Sequence, residues 1–311
     1  MKLNFSTTYK FICSMLLLIH AGFLASCADY FEPRNVTVSF PEQDDMLVIN
    51  GILNPDSVFQ ISVSRSTGIL KKEQNPFIAN AQVELFESGQ PVAVLTHTAN
   101  GRYRGANIKP RAGQTYSIRA TAGDFGAVQA TATIPVAVTI DSVKVERKTN
   151  NFEGEIEITI GFSDPAGKEN FYHLLLLAYE NNNGRIGGVF QTHFSTRDVV
   201  LKDGDDFGTE ETNHWGEGWF DDTLIDGDNY SLKINAFDYM GEIARFKVIL
   251  LSTTEAYFRY FSSISSQQET DENPFAEPVQ VFTNIQGGLG IFTGFSSSSA
   301  IIDLIPGLEN P

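Results

Sequence analysis

Cysteine is nearly missing from this 311-residue sequence, which holds only Cys13 and Cys27. Everything beyond residue 27 therefore has no thiol for a disulfide or a thiolate metal site. Cations are scarce too: 22 Lys and Arg stand against 38 Asp and Glu, a net charge of −16. Such a chain repels phosphate backbones, so no nucleic-acid partner is expected. The histidines after residue 27 (His97, His173, His193 and His214) form no close pair and no H-E-x-x-H, so no zinc signature is present. There is no G-x-S-x-G, and Gly287-Gly288-Leu289-Gly290 lacks the Lys-Ser of a phosphate loop. Long apolar runs are missing as well. The one candidate, Phe11 to Ala25, spans about 15 residues and is interrupted by His20 and Gly22, short of the roughly 20 a membrane span needs.

What stands there instead is a leader. Lys2 and Lys10 precede the apolar run, and Leu24-Ala25-Ser26-Cys27 follows it. That order is a charged region, an apolar region and a small-residue cleavage site. Residues 1–26 read as a lipoprotein signal peptide, with Cys27 carrying the lipid and anchoring the chain to a membrane. Each buried acyl CH₂ adds about 0.8 kcal/mol, so several chains hold where one does not. Cys27 is followed by Ala28 rather than by an acidic residue, which favours the outer membrane. Without residues 1–26, which hold two lysines and no acid, the net charge becomes −18. Residues 27–45, with Pro33 and Pro41, read as a tether.

From Met46 the pattern turns strand-like. Leu47–Gly51 is a short apolar run. Ser57–Ser64 alternates on Phe59, Ile61 and Val63, and Ala81–Glu87 on Val83 and Leu85. Val92–His97, Arg102–Arg104, Gln114–Thr121 and Val128–Ile134 continue the series, with Asn100-Gly101 as a tight turn. Strands with one apolar face need a second sheet to cover them, so residues 46–135 are expected to form an antiparallel β-sandwich. Val136–Ser142 reads as the boundary.

A second β-rich domain is expected over residues 136–305. Glu155–Phe162 alternates, and Phe171–Tyr179 is continuously apolar, as a strand buried on both faces would be. Val189–Phe194, Val199–Leu201, Asn229–Ala236, Glu242–Leu251 and Ile285–Phe295 are further strands, with Ser296–Ser299 opening a polar tail. One helix is expected over about 252–266. Ser252 and Glu255 make an S-x-x-E capping box, and Ala256, Tyr257, Tyr260, Phe261 and Ile264 form its apolar face. The fold class is thus mostly β: two antiparallel sandwich-like domains, with the helix packed on the second.

Asp203 to Asp222 reads as a polar loop. Asp203, Asp205, Asp206, Glu210 and Glu211 could offer calcium its hard oxygens, but D-x-D-D-x-x-x-E-E is not EF-hand spacing, and a solvated acidic loop is the favoured reading. Asp221, Asp222, Asp226 and Asp228 follow, with Asp226-Gly227 as a turn. Trp215 and Trp219 in the same loop either stack on a sugar or partner, or fold back over the sandwich end. No cofactor is expected.

The order Asn80-Ala-Gln-Val-Glu-Leu, Gly101-Arg-Tyr, Ala112-Gly113-Gln-Thr-Tyr116 resembles carboxypeptidase-regulatory, transthyretin-like sandwiches. Further resemblance lies in the lipobox, Leu47–Gly51, Ile61–Ser66, Asn80–Val83, Tyr257-Phe258-Arg259-Tyr260, Asn273–Pro278 and Asn284–Phe292. Together these resemble the domain of unknown function 4249 family of Bacteroidota envelope lipoproteins, over nearly the whole chain after Cys27. The resemblance implies a non-enzymatic accessory or ligand-binding part in uptake through a TonB-dependent outer-membrane receptor, and supplies no catalytic residues. Alternatives are a carbohydrate-binding or polysaccharide-hydrolysing surface lipoprotein, and a structural or adhesive surface protein.

Overall fold

The computed structural model describes residues 44–68, 76–148, 154–201, 211–214, 216–238, 241–271 and 279–305. The expected leader, Cys27 and the expected tether up to residue 43 lie outside them, as do Asp203, Asp205, Asp206 and Trp215. The first half forms β1 (Leu47–Leu53), β2 (Gln60–Arg65), β3 (Gln82–Glu87), β4 (Gln90–Val94), β5 (Thr96–His97), β6 (Arg102–Arg104), β7 (Thr115–Ala122) and β8 (Phe125–Thr133). The second forms β9 (Ile140–Arg147), β10 (Glu155–Ser163), β11 (Phe171–Asn182), β12 (Arg185–Gln191), β13 (Phe194–Thr196), β14 (Thr212–His214), β15 (Glu217–Asp221), β16 (Asn229–Phe237) and β17 (Ile243–Thr253). Helix α1 (Glu255–Asp271) and strand β18 (Leu289–Asp303) end it.

Alternation sets which side chains go inward. In β7, Tyr116, Ile118 and Ala120 are buried, while Ser117 and Arg119 between them face out. Asn100 and Gly101 both take positive φ, 49° and 67°, the mirror-image turn that matches strand twist. Strands β4-β3-β7-β8 form one sheet and β14-β13-β16-β10-β9 another. The third runs β12-β11-β17-β18-β1-β2-β6-β5, with β15 also pairing β11.

That large sheet backs two separate cores. Leu47, Ile49, Phe59, Ile61, Tyr116 and Phe292 belong to one, and Ile158, Phe162, Tyr172, Leu176, Phe246 and Leu250 to the other. Each fully buried side chain of this size is worth roughly 1.5–3 kcal/mol, so either core is substantial. Strand β18 joins them. Its first half, Leu289–Gly294, pairs parallel with β1, and its second half, Phe295–Asp303, pairs antiparallel with β17. Gly290, at φ 101°, sits so near the Ile49 carbonyl that a Cβ would collide with it. The strand expected to close only the second domain therefore also completes the first sandwich.

Several local expectations are corrected. Ser296–Ser299 is the middle of β18, not a tail. Its hydroxyls hold the crossing segment 135–140: Ser296 donates to the Pro135 carbonyl at 2.6 Å, and Ser298 accepts from the Ile140 amide at 2.9 Å. Ser252 lies in β17 and accepts from the Val138 amide at 2.8 Å, so it does not cap the helix. Thr254 does: its Oγ1 accepts from the Tyr257 amide at 3.1 Å. Val199–Leu201 is a 3-10 turn rather than a strand. Part of the expected loop before Asp222 is strand, as β14 and β15. The expected strand Val189–Phe194 divides between β12 and β13.

Candidate functional site

Helix α1 lies on the outer face of the large sheet and covers a polar centre there. On β11, inward residues Tyr172, Leu174 and Leu176 enter the core, which turns His173 outward beneath the helix. Trp219 of β15 pairs with His173 across the ladder, and their rings stack at 3.5 Å between centroids. Tyr257 and Phe261, one helical turn apart on α1, come down on this pair. Trp219 also stacks with Phe261 at 5.4 Å, and Tyr257 packs on Phe261 at 4.6 Å.

His173 Nδ1 lies 3.2 Å from the Tyr257 hydroxyl, and Nε2 lies 3.1 Å from the Glu217 carboxylate. A neutral imidazole satisfies both, accepting the Tyr257 O–H at Nδ1 and donating Nε2–H to Glu217. Burial holds the His173 pKa below its ordinary value, against the pull of Glu217. The His173 hydrogen bond pulls Glu217 below the usual carboxylate range. Burial, with Glu217 nearby, pushes the Tyr257 hydroxyl well up, so it keeps its proton. One hydrogen bond of the trio, His173–Tyr257, joins sheet to helix, the other ties β11 to β15, and its tyrosine is the opposite of an activated nucleophile. Trp219, read from sequence as either a sugar or partner platform or a cover folded back on the sandwich, is half-buried with its indole packed on His173 and Phe261.

A second polar centre joins two loops. Carboxylate oxygens of Asp164, Asp222 and Asp226 lie within 4.8 Å of one another. Asp164 accepts from the Tyr172 hydroxyl and, at 3.0 Å, from the Gly227 amide. Asp222 accepts from both the backbone and side-chain nitrogens of Asn170 at 2.8 and 3.0 Å, and Asp226 from the Gly167 amide at 2.8 Å. Burial, reinforced by the charges of Asp164 and Asp226, raises the Asp222 pKa despite the Asn170 donors. Three carboxylates are half of what calcium takes. Most of these oxygens already serve loop donors, so the cluster braces segment 164–170 against 222–228. The sequence displays Asp222 and Asp226, but Asp164 stands 58 residues before Asp222 and shows only in three dimensions.

A groove of about 530 Å³ runs along α1, lined by Phe258, Arg259, Ser262, Val281 and Phe282, with the Arg259 guanidinium 4.3 Å over the Phe282 ring. Arg259 also pairs with Glu255 one turn back at 3.2 Å.

Among solved structures, the chain is similar to two Salmonella alpha-2-macroglobulin structures. One is a point mutant, at 13% identity and TM-score 0.25, and the other was reacted with methylamine, at 11% identity and TM-score 0.26. Each match covers 71% of this chain and 14% of the other. A Parabacteroides merdae beta-glucuronidase matches at 12% identity and TM-score 0.22, covering 68% of this chain and 24% of that one. The chain thus spans a quarter or less of each protein, and nothing about it follows from them. No curated protein matches the sequence. The family described as "Domain of unknown function (DUF4249)" matches residues 34–301, and the chain belongs to that family.

Proposed function

We propose that this protein is a non-catalytic, lipid-anchored component of the cell envelope that serves an outer-membrane uptake receptor of the TonB-dependent kind. The carrying observation is the lipobox Leu24–Cys27 at the end of a short apolar run, ahead of a folded body that starts at Asp44. Cys27 supplies the anchor, and the two-core β body presents the binding surfaces. The non-catalytic reading is supported by how the polar centres are used. His173 is held between Glu217 and Tyr257, and the Asp164–Asp222–Asp226 carboxylates serve loop amides. The excess of acid keeps the body off anionic surfaces except through its lipid.

The test is affinity recovery of the native lipoprotein from detergent-solubilised outer membranes, with Cys27→Ala as control. The expected result is one large β-barrel protein recovered in proportion, and loss of both lipid labelling and recovery in Cys27→Ala. Recovery of the lipoprotein alone overturns the uptake role. An unlabelled wild-type protein overturns the anchor.

A further inference from the structure

The charge of this chain is shared unevenly along its length. Residues 46–135 hold 8 Lys and Arg against 5 Asp and Glu, a net +3, whereas residues 136–311 hold 11 against 28, a net −17. Within the first part, most described cations are engaged. Arg65 pairs with Asp45, Arg111 pairs with Glu87, Lys109 donates to the Asp56 carbonyl at 3.3 Å, and Arg119 stands across the ladder from Glu84. Arg102 and Arg104 on β6 are the exception. Both are exposed, and no hydrogen bond or ion pair holds either guanidinium among the described residues.

The two arginines point the same way, because Tyr103 between them enters the core. Their register neighbours on this outward side are Gln60 and Ser62 of β2, Thr96 of β5 and, beyond Ser62, Asn50 of β1. Ile52 follows Asn50 outward and is 39% exposed. Strands β1, β2, β5 and β6 contain no carboxylate at all. The patch is therefore basic in a chain that is acidic as a whole. It also lies in the sandwich that the chain enters first, since Leu47 stands 20 residues after Cys27. An anionic surface attracts this side and repels the rest of the body. A lipid that overcomes the net repulsion then leaves the charge asymmetry to decide which side turns to the bilayer.

We infer that Arg102 and Arg104 face anionic lipid headgroups, so that the first sandwich lies against the membrane and the acidic second part points away. The inference rests on the lipid-anchor reading above and adds to it how the anchored body is oriented. The test uses the full lipidated chain in phosphatidylcholine vesicles, with and without phosphatidylglycerol. Beyond residue 27 the chain has no cysteine, so one introduced at Thr96, beside Arg104, or at the exposed Leu224 carries a fluorophore there alone. A headgroup-bound quencher should quench residue 96 at least about twofold more than residue 224 in the anionic vesicles. The difference should fade in neutral vesicles and in high salt. Arg102→Glu with Arg104→Glu should abolish it while flotation with the vesicles, which the lipid supplies, stays unchanged. Arg102→Lys with Arg104→Lys should keep it, and the melting point of each variant verifies folding. Any of four results overturns the inference: equal quenching at the two sites, a difference indifferent to lipid charge, a difference indifferent to the paired glutamates, or a polypeptide partner lost with those glutamates while the quenching stays, which assigns the face to an acidic protein. If the wild type floats but shows no preferred side, the orientation is wrong and the anchor stands. If it does not float, the anchor falls and the orientation with it.

Discussion

Truncating Phe292 to alanine tests whether the two cores fold as one. Phe292 lies on the first half of β18, fully buried, with its ring 6.2 Å from Phe59 in the first core. Both its backbone groups are held by the Asn284 amide, at 2.7 and 2.9 Å, and this bracing survives loss of the ring. Removing a buried phenylalanine costs about 3–5 kcal/mol in lost burial and cavity. At a urea slope of about 3 kcal/mol per molar, the midpoint falls by roughly 1–1.7 M. Trp219 reports from elsewhere, on β15 beneath α1. β18 continues into the pairing with β17, and Ser252, Ser296 and Ser298 fasten the crossing segment. Tryptophan fluorescence and circular dichroism should therefore move together, in one transition of unchanged slope. Refutation would be an early loss of dichroism with fluorescence unmoved, the mark of two independent sandwiches.

Three further outcomes are expected. His173 has a folded pKa below its ordinary 6.5, so the unfolded chain binds more protons as pH falls through that value; its contribution is complete above pH 6.5 and lost below it. Urea midpoints at pH 7.5 and 5.5 should thus differ more in the wild type than in His173→Asn. Asp222→Asn keeps an acceptor for Asn170 while removing a buried charge, and should hold stability at pH 7, whereas Asp222→Ala strands Asn170 donors and should cost about 1–3 kcal/mol in thermal unfolding. Thr254→Ala should cost about 1 kcal/mol and speed amide exchange at Tyr257, while Ser252→Ala should leave that amide protected and expose the one at Val138.

Much of the β architecture is legible in the sequence, because half-buried strands print their period. β2, β3, β7, β10 and β16 each alternate, and β11 shows a continuous apolar run because one face enters the core and the other lies partly beneath α1. Strand β9 escapes, since its core-facing Ile140 and Val143 are put out of period by a bulge and Asp141, Lys144, Glu146 and Arg147 surround them. The serine half of β18 escapes for another reason. Ser296 and Ser298 point inward as hydrogen-bond partners of a crossing segment, a role that hydropathy does not register. The sharing of β18 between cores is hidden because its pairing with β1 joins residues more than 240 apart. The polar centres are hidden likewise. His173 stands out only as a core or edge residue, since its partners Glu217 and Tyr257 lie 44 and 84 residues away. Thr254 was available as a cap, but the S-x-x-E spacing pointed two residues early.

The most direct measurement is the mass of the native particle after gentle detergent extraction, by light scattering corrected for bound detergent. A lipid-anchored uptake component gives a particle heavier than the chain from Cys27 onward by one barrel-sized protein, and the excess disappears in Cys27→Ala. A particle of the chain's own mass, unchanged by that substitution, contradicts the partner.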